Sequence, residues 1–180
     1  IGSHDWDGGI IAGNIVMHQR SALVKNVRAL KISASSAEGP RTIGVRNLLV
    51  RDNLFHGLRS GGSIILMSAA EQMQNVRLVN NQVQMHGLAT ALVSIEGEDL
   101  AGIAFSGNTY FTESNASQSF SLNKQSMAFE DWTKQSIGSD EKFEKIDYPD
   151  EERNIQRYME QLGMDPTHDA FIAEIRKQSK

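Results

Sequence analysis

The chain has 180 residues, no cysteine, three prolines and only 7% aromatic side chains. The missing cysteine excludes a disulfide framework, a thiolate zinc site and a cysteine nucleophile. It leaves the compartment open, because many exported bacterial proteins also lack the residue. No apolar run approaches the ~18 to 20 residues that cross a bilayer, and none follows a basic N-terminus, so neither a transmembrane helix nor a signal peptide is visible in this sequence. A net charge of −4 with a pI near 5.7 argues against a nucleic-acid partner. There is no G-x-S-x-G elbow, P-loop, dinucleotide fingerprint or HExxH. With so few rings, the core must come mainly from Ile, Leu, Val, Met and Ala.

What is present is unevenly distributed. Residues 1–112 carry nine basic and eight acidic side chains, whereas residues 113–180 carry nine and fourteen. The first part is rich in Gly, Asn, Val, Ile and Leu in short alternating runs, a strand composition. The second has helical spacing and two of the three prolines. These contrasts predict a β region over 1–112, a linker over 113–125 containing Ser114-Asn115-Ala116-Ser117-Gln118-Ser119, and a helical appendage over 126–180.

The β region repeats. Asn47-Leu48-Leu49-Val50-Arg51-Asp52-Asn53, Asn75-Val76-Arg77-Leu78-Val79-Asn80-Asn81 and Gly102-Ile103-Ala104-Phe105-Ser106-Gly107-Asn108 align without gaps, and Gly9-Ile10-Ile11-Ala12-Gly13-Asn14 is a weaker earlier copy. Strand alternation points Leu48, Val50, Val76, Leu78, Ile103 and Phe105 to one face, and Arg51, Arg77 and Ser106 to the other. Second strands follow at Ile64-Ile65-Leu66-Met67 and Leu92-Val93-Ser94-Ile95, with Val27 to Ile32 as an earlier counterpart. Short strands closed by Gly and Asn turns describe an all-β solenoid of about four coils. Identical amides at one position of stacked coils, ~4.8 Å apart, form a hydrogen-bonded ladder, so Asn53, Asn81 and Asn108 are expected to be structural. A narrow core of slim columns also explains the scarcity of rings.

The spacing and the Asn after each strand resemble the right-handed parallel β-helix repeats of the pectate-lyase-like superfamily. The resemblance covers residues from about 8 to 112. The C-terminal segments Tyr148-Pro149-Asp150, Tyr158-Met159, Leu162-Gly163, Phe171-Ile172-Ala173 and Gln178-Ser179-Lys180 resemble the helical tail that follows the β-helix in uncharacterised bacterial proteins, notably of planctomycetes. The resemblance implies an exported protein acting on acidic polysaccharide by lyase-like β-elimination. The alternative is a non-catalytic glycan-binding or structural solenoid. The direct run into the first repeat suggests the C-terminal portion of a longer solenoid, unless Gly2-Ser3-His4 is an expression scar.

Two constellations are candidates for chemistry. His18, His56 and His86 follow Asn14, Asn53 and Asn81 by four, three and five residues, with Arg20 and Arg59 close in sequence. Stacked imidazoles and guanidinium groups bind an anionic sugar, or exchange a proton beside a uronate carboxylate. The plainer alternative is exposed turn histidines. Arg51 and Arg77 are expected at the same position in adjacent coils, two cations within reach of a polymer's carboxylates. As catalytic residues they compete with a simple reading as a solvated face. His56 and His86 are the further catalytic candidates, and His18, Arg20 and Arg59 the substrate-binding ones. No carboxylate shares the His column, so no metal site is expected there. The resemblance brings in calcium as a cofactor of related lyases, but their acidic cluster is not visible here.

In the C-terminal part, Ser126 is expected to cap a short helix reaching toward Gly138. Asp150 to Leu162 should form a second helix stopped by Gly163, and Thr167 should cap a third with a basic end at Arg176 and Lys177. Trp132 and Tyr148 are the expected anchors onto the strands.

Overall fold

The computed structural model describes residues 1–17, 28–34, 44–58, 62–85, 91–112, 119–135, 137–145 and 155–178. It is built mostly of parallel β-sheet. The chain visits three sheets, here I, II and III, in a fixed order. After β1 (Gly2–His4) in sheet III come β2 (Asp7–Ala12), β3 (Ile15–Met17) and β4 (Leu30–Ser33), one in each sheet. The next circuit is β5 (Val45–Arg51), β6 (Leu54–Leu58) and β7 (Ser63–Ser68). The third opens with a two-residue β8 (Met73–Gln74) and continues through β9 (Val76–Val79), β10 (Gln82–Met85) and β11 (Ala91–Glu96). A fourth follows in β12 (Ile103–Ser106), β13 (Thr109–Thr112) and β14 (Phe120–Leu122).

Each strand pairs in parallel with its counterpart one circuit on. Ile11, Val50 and Leu78 share one inward row of sheet I, and Leu78 continues to Phe105. Every inward residue named by the alternation is buried, from Val50 and Val76 at 0% exposure to Ile103 at 4%. They join Phe55, Val83 and Tyr110 of sheet II and Leu30, Ile65, Val93 and Phe120 of sheet III in one core. The repeat thus has a packing cause: each circuit's apolar row is covered by the next.

The expected boundary at 112 does not hold. β15 (Gln125–Met127) folds back antiparallel on β14, and β16 (Gly138–Ser139) and β17 (Lys142–Lys145) extend sheets I and II. Strands of two to four residues are too short to display a period, and α1 (Phe129–Thr133) interrupts them. Ser126 lies in β15 and does not cap α1, whose N-cap is Ala128 without a side-chain bond. Trp132 anchors as expected, fully buried. Tyr148 lies outside the described residues.

The turn into β15 has Asn123 and Lys124 both at positive φ, 49° and 67°, the backbone of a two-residue type I′ hairpin. Farther on, α2 (Ile155–Gln161) and α3 (His168–Gln178) pack together. The Gly163 amide donates to Glu160 O and the Met164 amide to Met159 O, the paired bonds of a Schellman stop with Gly163 at φ 68°. Thr167 Oγ1 accepts from the Ala170 amide and caps α3 as expected.

Candidate functional site

The asparagine column forms the predicted ladder. The backbone and side-chain amides of Asn14 both donate to Asn53 Oδ1, those of Asn53 to Asn81 Oδ1, and those of Asn81 to Asn108 Oδ1, all within 2.9–3.1 Å. The second Nδ2 proton of Asn53, Asn81 and Asn108 goes to the backbone oxygens of Ile11, Val50 and Leu78. These three amides are at most 2% exposed, so their bonding to protein leaves no capacity for a ligand.

The sequence reading missed how the ladder ends. Asn108 donates its backbone and side-chain amides to Glu141 Oε1, and the Tyr110 hydroxyl donates to Glu141 Oε2. Glu141 takes the asparagine position of a fifth rung. A carboxylate accepts both bonds and carries no donor onward, which closes the ladder. Burial raises the Glu141 carboxyl above its ordinary 4.5, against the hydrogen bonds from Tyr110 and Asn108, which lower it. Burial and the facing carboxylate hold the Tyr110 hydroxyl well above its usual range. The overlooked signal was the residue before each rung. Gly13, Asp52, Asn80, Gly107 and Asp140 all have positive φ, so Asp140-Glu141 continues a series of turn dipeptides.

A second, exposed ladder runs the other way. Asn75 Nδ2 donates to Asn47 Oδ1, and Asn47 Nδ2 to Asp7 Oδ1. It too ends on a carboxylate, at the opposite end of the stack.

The predicted cationic pair is not aligned. Arg51 pairs in register with Val79, and Arg77 with Leu49, so the two arginines share the outer face of sheet I two residues out of step. The gapless alignment already contains this offset, because Arg51 is the fifth residue of its segment and Arg77 the third. Both are exposed, and Arg51 is paired with the adjacent Asp52. His56 lies in β6 opposite Met17, its side chain outside the description. His18, Arg20, Arg59 and His86 lie outside the described residues.

Two surface depressions are lined by described residues. One, of about 290 Å³, lies on the outer face of sheet III, where Lys31, Leu66, Ser94, Ser121 and Ser126 form one cross-strand row. Ser63, Ser94, Ser121, Ser126, Arg28, Lys124 and Glu96 are among the residues that line it. The Nε of Arg28 is buried without a hydrogen-bond partner. The other, of about 400 Å³, follows the ladder corner between sheets I and II.

Among the described residues, no three His, Asp or Glu side chains come close enough to hold a metal ion. These residues do not fit the acidic calcium cluster of the lyases. No described helix is long and apolar enough to cross a membrane. Compared with known protein families, curated proteins and solved structures, the chain matches none.

Proposed function

We propose that the chain is part of a right-handed parallel β-helix that engages acidic polysaccharide along the outer face of sheet III. Parallel strands joined by crossovers are almost always right-handed, and the fixed I, II, III order of strands suits a continuous winding of that hand. Its setting is extracytoplasmic, where such polymers are met.

The observation that carries the ligand class is the pair of cationic side chains, Arg28 and Lys124, in a depression lined also by serine hydroxyls and by one carboxylate, Glu96. Guanidinium and ammonium donors are matched by a carboxylate or sulfate, and charge-assisted bonds of this kind are the stronger ones. The serines add donors and acceptors for sugar hydroxyls. Ser94 and Ser121 stand on adjacent parallel rungs, ~4.8 Å apart, along the polymer direction.

Binding is favoured over β-elimination by one further observation. Arg51 spends its charge on Asp52 and stands out of step with Arg77, so the two do not jointly neutralise one uronate. The test measures both properties at once, titrating the chain with polygalacturonate, alginate and chondroitin sulfate while following the ultraviolet absorbance of an unsaturated product. Binding with flat absorbance supports the binding reading, and rising absorbance replaces it with the lyase. Lys124→Gly keeps the hairpin backbone and is expected to weaken binding about tenfold, as is Arg28→Ala. Failure to bind any acidic polymer overturns the proposal.

A further inference from the structure

The groove at the ladder corner has different chemistry from the face of sheet III. It lies between two rows that run along the stack. One is the outward row of sheet II, where Ile15, Leu54, Gln82 and Thr109 are in register. The other is the positive-φ turn row, Gly13, Asp52, Asn80 and Gly107, one residue before each rung. Asn14, Ile15, Asp52, Leu54, Asn80 and Gln82 shape the groove.

Part of its hydrogen-bonding capacity is unspent. Among the described residues, the side-chain amides of Asn80 and Gln82 have no hydrogen-bond partner, and both residues are exposed. Asn14 uses its Nδ2 on Ala12 O and Asn53 Oδ1, while its own Oδ1 accepts from none of the described residues. Primary amides present a donor and an acceptor side by side, the pattern that vicinal sugar hydroxyls match. Ile15, 40% exposed, and Leu54 are adjacent in register and form an aliphatic floor for the C–H face of a ring. Among the described residues, the only charged side chain lining the groove is the carboxylate of Asp52, and the neighbouring Arg51 is held by it. That carboxylate opposes a uronate.

We infer that this corner is a binding site for a neutral β-linked polysaccharide lying parallel to the stack, about one sugar ring per rung. The rung repeat of ~4.8 Å is close to the length of one pyranose unit, so successive rings meet Ile15, Leu54 and Gln82 on one side and Asp52 and Asn80 on the other. The site is separate from the acidic-polymer face and does not depend on it.

The test is titration of the whole chain with cellohexaose, xylohexaose and mannohexaose, with hexagalacturonate as the acidic control, by calorimetry and by shifts of side-chain amide resonances. At least one neutral hexamer is expected to bind with a dissociation constant below about 1 mM and to shift the Asn80 and Gln82 amides. Gln82→Ala and Asn80→Gly, the latter retaining the positive-φ turn, are each expected to weaken it about tenfold. Unchanged melting temperatures in both variants would show that the fold is intact. Lys124→Gly should leave neutral binding unaffected, which separates failure here from failure on sheet III. The inference is overturned if no neutral hexamer binds, if both groove variants bind as the parent does, or if hexagalacturonate is preferred at these amides.

Discussion

The two ends of the stack are finished differently. At the C-terminal end Trp132 is fully buried, stacked on Phe120 at 5.0 Å between ring centroids and edge-on to Phe105 at 5.3 Å. Tyr110, Phe129 and Phe143 join the same cluster. At the N-terminal end Ile1, Trp6, Ile10 and Ile15 are 39–66% exposed, and among the described residues nothing donates to Asn14 Oδ1. Trp6 still folds over the end of the core. Gly9 shares its register position with inward-facing Leu48, and a Cβ on Gly9 would lie 2.6 Å from Trp6 Nε1. A stack of slim aliphatic columns needs bulk chiefly where it stops, so most of the buried rings among the described residues collect at the C-terminal end, with Phe55 farther inside.

The largest expected effect breaks this comparison directly. Trp132→Ala should cost about 3 to 5 kcal/mol in urea unfolding, because it empties a fully buried site. Trp6→Ala should cost about 1 kcal/mol, since much of its ring already meets water. Equal costs would mean that both ends are closed alike.

Next come the two ladders. Asn81→Ala leaves the backbone and side-chain amides of Asn53 without their acceptor, at about 1 to 3 kcal/mol each. Asn75→Gly keeps the positive φ in the exposed ladder and should cost under about 1 kcal/mol. Denaturation midpoints of the two variants measure the gap.

The closing carboxylate gives a pH signature. The Glu141 carboxyl is raised in the fold, so the native state holds its proton more tightly than the unfolded chain does. Its contribution to stability is fully present below the unfolded value near 4.5 and is lost as pH rises through the folded value. Glu141→Gln keeps a carbonyl for Asn108 and does not titrate. The variant should therefore gain on the parent as pH is raised from 4 to 7 in thermal melts. A constant difference between the two would refute the assignment.

The smallest effect concerns the open end. Gly9→Ala should displace the Trp6 ring outward at a cost of about 1 kcal/mol. In a Trp132→Phe background it should shift tryptophan emission to the red, and unchanged emission would place the ring elsewhere.

Much of the core was legible because strand alternation is local. Leu48, Val50, Val76, Leu78, Ile103 and Phe105 follow from period two, and Asn53, Asn81 and Asn108 from their recurrence. Glu141 was not legible as a rung, since its residue type changes and α1 lengthens the step from Asn108. The offset of Arg51 and Arg77 shows the opposite case: register was readable, and attending to residue type alone obscured it.

By itself the sequence determined which side chains face inward and which turn positions bear amides, because both follow from neighbours a few residues apart and a recurring step. Tertiary structure decided what those steps bring together. It placed Glu141 beneath Asn108 and Tyr110, brought Arg28, Lys124 and a row of serines to one depression, and gathered rings around Trp132. These contacts join residues far apart in the chain, and their positions are set only when the sheets stack.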